Sequence, residues 1–133
     1  MTRDPATLRP ESTCSEAAGL MKREDCGSLP VVKDGKLVGI LTDRDIVIRG
    51  LAGGKDLKHL PISEIMTADP STVSPDMNAE DASKMMSEKQ VRRLPVVQDG
   101  RLVGIVVIGQ LARQESPGAA GETLKDVSQP ARP

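Results

Sequence analysis

Leu29-Pro30-Val31-Val32-Lys33-Asp34-Gly35-Lys36-Leu37-Val38-Gly39-Ile40 returns 65 positions later, counted from Pro30 to Pro95, as Leu94-Pro95-Val96-Val97-Gln98-Asp99-Gly100-Arg101-Leu102-Val103-Gly104-Ile105. Each copy is a pair of short β-prone apolar runs joined by Asp-Gly, the residue pair that best tolerates the positive φ angles of a tight hairpin. Two copies of one hairpin point to an internal repeat. The same offset, without a gap, matches Pro5 to Pro70, Thr7 to Thr72, Pro10 to Pro75, Ala17 to Ala82 and Met21 to Met86. Met1, Thr2 and Asp4 also match Met66, Thr67 and Asp69. The second copy has a lead-in, Ile62-Ser63-Glu64-Ile65, that the first is expected to lack.

Outward from the hairpins, each copy reads β-α-β-β-α. Residues 6–8 and 71–73 are short extended segments, each followed by a proline. Thr13-Cys14-Ser15-Glu16 has the pattern of a helix capping box, and Asn78-Ala79-Glu80-Asp81 is its looser counterpart. Behind these caps, Ala17, Leu20 and Met21, and likewise Ala82, Met85 and Met86, fall at helical spacing and give each helix one apolar stripe. Strands are expected over 29–33 and 36–41, then a second helix over about 44–51, with a shorter counterpart near 109–114. Glycines at 50, 53 and 54 break the periodicity. The expected organisation is a first repeat over 1–54, a linker over 55–61, a second repeat over 62–115 and a mobile tail over 116–133 with a turn of helix near 122–127.

Composition excludes several functions. Eighteen Lys and Arg against 19 Asp and Glu leave a formal net charge of -1, so nothing draws the chain to nucleic acid or anionic membrane. With no Phe, Tyr or Trp, no base can stack on a ring. Cys14 and Cys26 lack metal-ligand spacing and read as reduced thiols, no apolar run is long enough to cross a bilayer, and no secretion signal is seen, which together imply a cytoplasmic protein. The single histidine, His59, has no obvious partner, so acid-base pairs and triads are unsupported. No metal site and no enzyme activity are expected.

The repeat resembles the CBS domain, a unit of roughly sixty residues that occurs in tandem as a Bateman module. The resemblance rests on Glu64-Ile65-Met66-Thr67, on both Leu-Pro-Val-Val plus Asp-Gly hairpins, and on Gly39-Ile40-Leu41-Thr42-Asp43-Arg44-Asp45, and it covers nearly everything from Met1 to about Arg113. In layout the chain looks like stand-alone bacterial CBS pairs without a catalytic domain. The resemblance implies an α/β fold of two β-α-β-β-α repeats about a pseudo-two-fold axis, with two clefts between them, and usually a homodimer. It further implies a regulatory or sensor role through an adenosine compound, of the AMP, ADP or ATP class here; other members take S-adenosylmethionine or NAD. A regulated protein partner would be separate and is not named by the sequence.

Thr42 and Asp45 have Thr-x-x-Asp spacing at a strand-to-helix turn, where a hydroxyl and free helix N–H groups suit a phosphate and a carboxylate suits the two ribose hydroxyls. The same spacing is also an ordinary helix cap needing no ligand. The resemblance adds the residues just before each Leu-Pro-Val: Cys26, Gly27 and Ser28 near the base, and Arg92 and Arg93, whose planar guanidinium donors would reach phosphate at the Thr42 and Asp45 site. Their other reading is a solvated basic patch. Thr7, in the extended segment of the first repeat, completes the nucleotide-binding candidates. In the second copy Val107 stands in place of Thr42 and Gln110 in place of Asp45, so one competent site per chain is expected. The alternative reading is a scaffold or interaction module that keeps the fold and has lost its ligand. A redox role for Cys14 or Cys26 is a weaker third.

Overall fold

A computed structural model of the chain describes residues 1–109 and Leu124. The chain forms two compact units, one of Ala6–Pro70 and one of Met1–Pro5 with Ser71–Pro133. Among the described residues there are six strands: β1 Thr2–Arg3, β2 Ser28–Lys33, β3 Lys36–Thr42, β4 Thr67–Ala68, β5 Arg93–Gln98 and β6 Arg101–Val107. The helices are α1 Cys14–Glu24, α2 Asp43–Asp45 and α3 Ala79–Lys89.

In the unit Ala6–Pro70, β2 and β3 form an antiparallel hairpin and β4 lies antiparallel on the far side of β3. Asp34 and Gly35 both have positive φ, 52° and 80°, as the Asp-Gly pair requires. Thr13 and Glu16 close the capping box expected for α1: the Glu16 N–H donates to Thr13 Oγ1 at 3.2 Å and the Thr13 N–H donates to Glu16 Oε1 at 3.3 Å. Behind that cap Cys14, Ala17 and Met21 face inward and join Leu8, Leu29, Val31, Leu41, Ile46, Leu60, Ile62 and Ile65 in one core. With no aromatic ring available, this cluster is filled by branched aliphatic side chains and methionine, whose flexible thioether suits irregular gaps.

The other unit repeats this plan. β5 and β6 form the hairpin, β1 pairs with β6, and α3 is capped by Asn78, whose Oδ1 accepts the Asp81 N–H at 2.8 Å. Its core holds Met1, Val73, Ala82, Met86, Leu94, Val96, Val106 and Leu124. The duplication reaches the backbone: Asp4, Asp25 and Asp34 are left-handed at φ 49°, 51° and 52°, and their repeat partners Asp69, Gln90 and Asp99 at 49°, 55° and 54°. Both hairpins shift register at the same place, between Val31 and Val32 and between Val96 and Val97.

Several sequence expectations change. The helix expected over 44–51 begins at Asp43 and widens after Asp45 into a π-helical stretch, Ile46–Leu51, closed by the Ala52 N–H on the Val47 carbonyl at 2.8 Å. Residues 55–61, read as a linker, pack on α1: the Cys14 and Ser15 N–H groups donate to the carbonyls of Leu60 and Leu57, each at 3.0 Å, and so satisfy two amides that a helix start leaves open. His59, read as partnerless, has Nδ1 2.7 Å from Asp56 Oδ2, and this bond holds the Asp56 carboxyl below its usual range. The helix expected over 109–114 lies outside the described residues apart from Gly109, as does the tail apart from Leu124. Among the described residues no helix is long and apolar enough to cross a membrane.

Candidate functional site

The turn from β3 into α2 brings four of the candidates together. Ser28 pairs with Thr42 across the hairpin, and the Asp43 N–H donates to the Gly27 carbonyl at 2.8 Å, which places residues 27–28 against residues 42–45. Gly27 lies close to Asp43: a Cβ there would lie 3.0 Å from the Asp43 carboxylate. Cys26 precedes them, half-buried, with its N–H on the Met21 carbonyl at 3.1 Å. Thr7 is exposed beside Leu8, whose N–H bonds the Pro30 carbonyl, and no bond ties it to the turn.

Thr42 and Asp45 form a reciprocal capping box. The Asp45 N–H donates to Thr42 Oγ1 at 3.1 Å and the Thr42 N–H to Asp45 Oδ2 at 2.9 Å. The Arg44 N–H donates to Asp43 Oδ1 at 2.8 Å. With the Asp43 amide on Gly27, every N–H from Thr42 to Asp45 is taken inside the protein. This corrects the expectation of free amides facing a phosphate: α2 is three residues long, and the Asp43 and Asp45 carboxylates, the Thr42 hydroxyl and the Gly27 carbonyl occupy the donors that a phosphate would use. The turn therefore presents acceptors. A carboxylate has about four lone-pair directions, so one amide bond leaves Asp45 able to accept from a pair of hydroxyls.

Two residues of this turn were not singled out by the sequence reading. Arg49 Nε lies 3.9 Å from Asp45 Oδ1, and its Nη1 donates to the Ile65 carbonyl at 3.2 Å, so the guanidinium steadies a carboxylate whose side chain is only 13% exposed. The Asp-to-Arg spacing of four was the available signal. Asp43 is the other, and nothing but its place beside Gly27 marks it.

Arg92 and Arg93 lie in the other unit, where they occupy the repeat positions of Gly27 and Ser28. Arg93 pairs with Val107, and the Arg92 carbonyl accepts the Ile108 N–H at 2.8 Å. Arg92 is exposed and Arg93 half-buried, and neither side chain forms an ion pair among the described residues. Gln110 falls outside the described residues. Both cysteines are free; burial and the nearby Glu64 push the Cys14 thiol pKa up, which keeps it protonated and inert. Among the described residues no group of three or more His, Cys, Asp or Glu could hold a metal ion.

The family model of the CBS domain matches residues 1–51 and 62–115. The chain is 46% identical over 129 residues to the CBS domain-containing protein YhcV of Bacillus subtilis, covering 96% of this chain and 91% of that one. Among solved structures it is similar to Hypoxic Response Protein I with two coordinated zinc ions, the protein of that name being from Mycobacterium tuberculosis, at TM-score 0.79 and 38% identity over 85% of this chain and 92% of the other. It is similar to CBSX2 of Arabidopsis thaliana in complex with AMP, at TM-score 0.75 and 30% identity over 85% and 90% of the two chains. It also matches the CBS domain pair of protein MJ0100 in complex with 5-methylthioadenosine and S-adenosylmethionine, at TM-score 0.75 and 34% identity over 85% and 89%.

Proposed function

The chain belongs to the CBS-domain family as a tandem CBS pair, and from that premise we propose that it is a non-catalytic regulatory module that senses an adenosine compound of the AMP, ADP or ATP class. One observation carries the reading: Asp45, little exposed and steadied by Thr42 and Arg49, keeps acceptor capacity at a turn that offers no free amide. Such a carboxylate suits the vicinal hydroxyls of a ribose better than a phosphate, and charge-assisted hydrogen bonds to it contribute about 1.5–3 kcal/mol. Gly27 and Ser28 line the same turn, with Cys26 beside it. AMP in one related structure, and methylthioadenosine with S-adenosylmethionine in another, support ribose and adenine as the shared recognition elements. Phosphate is then left to cationic side chains, with Arg92 and Arg93 the candidates.

The module is further proposed to act in the cytoplasm as a homodimer. The apolar side chains Val47, Ile48 and Leu51, 51%, 49% and 62% exposed, support association, because an aliphatic surface of that kind gains by leaving water. A second reading, a ligand-free scaffold, is favoured by the completeness of the Thr42–Asp45 cap, which is satisfied without any ligand.

The deciding experiment is thermal unfolding with AMP, ADP, ATP, adenosine and methylthioadenosine, because a ligand that binds only the folded state raises the melting temperature by mass action. The sensor reading expects a concentration-dependent rise with at least one of them. No rise with any at millimolar concentration leaves the scaffold reading.

A further inference from the structure

Leu124 is fully buried, and its backbone makes two bonds that reproduce those of Ile62 in the other unit. The Ile62 N–H donates to the Ser12 carbonyl at 2.8 Å, and the Ile62 carbonyl accepts the Met66 N–H at 2.8 Å. The Leu124 N–H donates to the Met77 carbonyl at 3.1 Å, and the Leu124 carbonyl accepts from the Met1 nitrogen at 3.3 Å. Ser12 and Met77 stand at the 65-residue offset, as do Met1 and Met66. The side chains agree: Ile62 belongs to the core of Leu8, Ala17, Met21, Leu29 and Val31, and Leu124 to the core of their partners Val73, Ala82, Met86, Leu94 and Val96.

The bond made through Met66 or Met1 matters for the sheet. A Cβ at Gly39 would meet Met66 Sδ at 2.6 Å, and one at Gly104 would meet Met1 Sδ at 2.9 Å, so each glycine makes room for a methionine that seats the following short strand. β4 is held on β3 and β1 on β6 by only two residue pairs each. In the first case the anchor sits four residues before its methionine, closed by the 3-10 turn Ile62–Glu64. In the second the anchor is 123 residues from its methionine in sequence.

We infer that Leu124 anchors its unit as Ile62, read from the sequence as part of the second copy's lead-in, anchors the unit Ala6–Pro70: it sits between Met77 and Met1 as Ile62 sits between Ser12 and Met66, and β1 stays on β6 only while Leu124 is seated. The place between Met77 and Met1 is thus a binding site for an aliphatic side chain carrying a backbone N–H and C=O, and its occupant is this chain's own Leu124. Because Leu124 meets Met1 across 123 residues instead of through a local turn, its release would open β1 without unfolding a neighbouring turn.

Amide hydrogen exchange on the full chain tests this. Leu124→Ala is expected to speed exchange across the Thr2, Arg3, Gly104 and Ile105 set by about tenfold or more, with the Thr67, Ala68, Gly39 and Ile40 set unchanged. Ile62→Ala is expected to do the reverse, and Leu124→Ile to restore slow exchange. Should Leu124→Ala yield no folded sample, Leu124→Val is read in the same way. Unaltered exchange at the first set in the Leu124 variants, or equal acceleration of both sets, overturns the inference.

Discussion

The turn after β3 and the turn after β6 share their backbone and differ in chemistry. In each the strand end pairs with the residue that opens the preceding strand, Thr42 with Ser28 and Val107 with Arg93. In each the next N–H donates at 2.8 Å to a carbonyl one residue further back, Asp43 to Gly27 and Ile108 to Arg92. Yet the first turn carries Gly27, Ser28, Thr42, Asp43 and Asp45, and the second Arg92, Arg93, Val107 and Ile108. One is rich in acceptors, the other in cationic donors and exposed apolar surface, Ile108 being 47% exposed. The hairpin and one backbone bond suffice to hold the turn, so the side chains on it are free to diverge. Duplication supplies two equal frames; only the first carries Thr and Asp at the turn, where the second has Val107 and Gln110.

Writing the second turn's residues into the first is the strongest way to break the contrast. Thr42→Val with Asp45→Gln removes a hydroxyl and a carboxylate together, and AMP affinity is expected to fall by roughly thirty- to two-thousandfold, from about 2–4.5 kcal/mol of lost hydrogen bonding. The chain should still fold, losing about 1–2 kcal/mol with the cap. Calorimetric titration and chemical denaturation measure the two effects separately. Unchanged AMP affinity in a folded double variant would remove the contrast.

A smaller effect is expected at the arginines. If Arg92 and Arg93 act on phosphate, Arg92→Ala or Arg93→Ala should lower AMP affinity several-fold while adenosine changes little, since a guanidinium contributes to binding only where an anion meets it. A ratio of AMP to adenosine affinity that stays constant in both variants assigns the arginines to the solvated surface.

The smallest effect concerns stability. Asp25 and Gln90 cap α1 and α3 in the left-handed region, where Asp is tolerated better than Gln because its short side chain strains the backbone less. Gln90→Gly should therefore raise stability by about 0.5–1 kcal/mol and Asp25→Gly by less, measured as a rise in melting temperature. A fall in both variants would mean that the caps contribute through their side chains.

The sequence disclosed most of the frame, and the reasons are local. The 65-residue offset, the Asp-Gly hairpins, the Thr13 and Asn78 caps and the apolar stripes of α1 and α3 all follow from contacts within a few residues of each other, where spacing predicts geometry. What stayed hidden depends on distant partners. Nothing in residues 55–61 announces that Leu57 and Leu60 receive the first amides of α1, and nothing around Leu124 announces that it repeats Ile62. At the site, Thr42 and Asp45 were legible as a pair with two readings, cap and ligand site. The structure fills in the cap in full and withdraws the amides from any phosphate, which narrows the chemistry left to the carboxylate.

Asp45→Asn tests that carboxylate most directly, because an asparagine oxygen still accepts the Thr42 N–H, so the cap survives while the negative charge is lost. Calorimetric titration of this full-length variant with AMP, beside the unaltered chain, is the measurement. The account predicts one site per chain before substitution and a ten- to hundredfold weaker affinity after it, corresponding to about 1.5–3 kcal/mol, at near-equal folding stability. Unchanged affinity in Asp45→Asn, or two equivalent sites per chain, would contradict it.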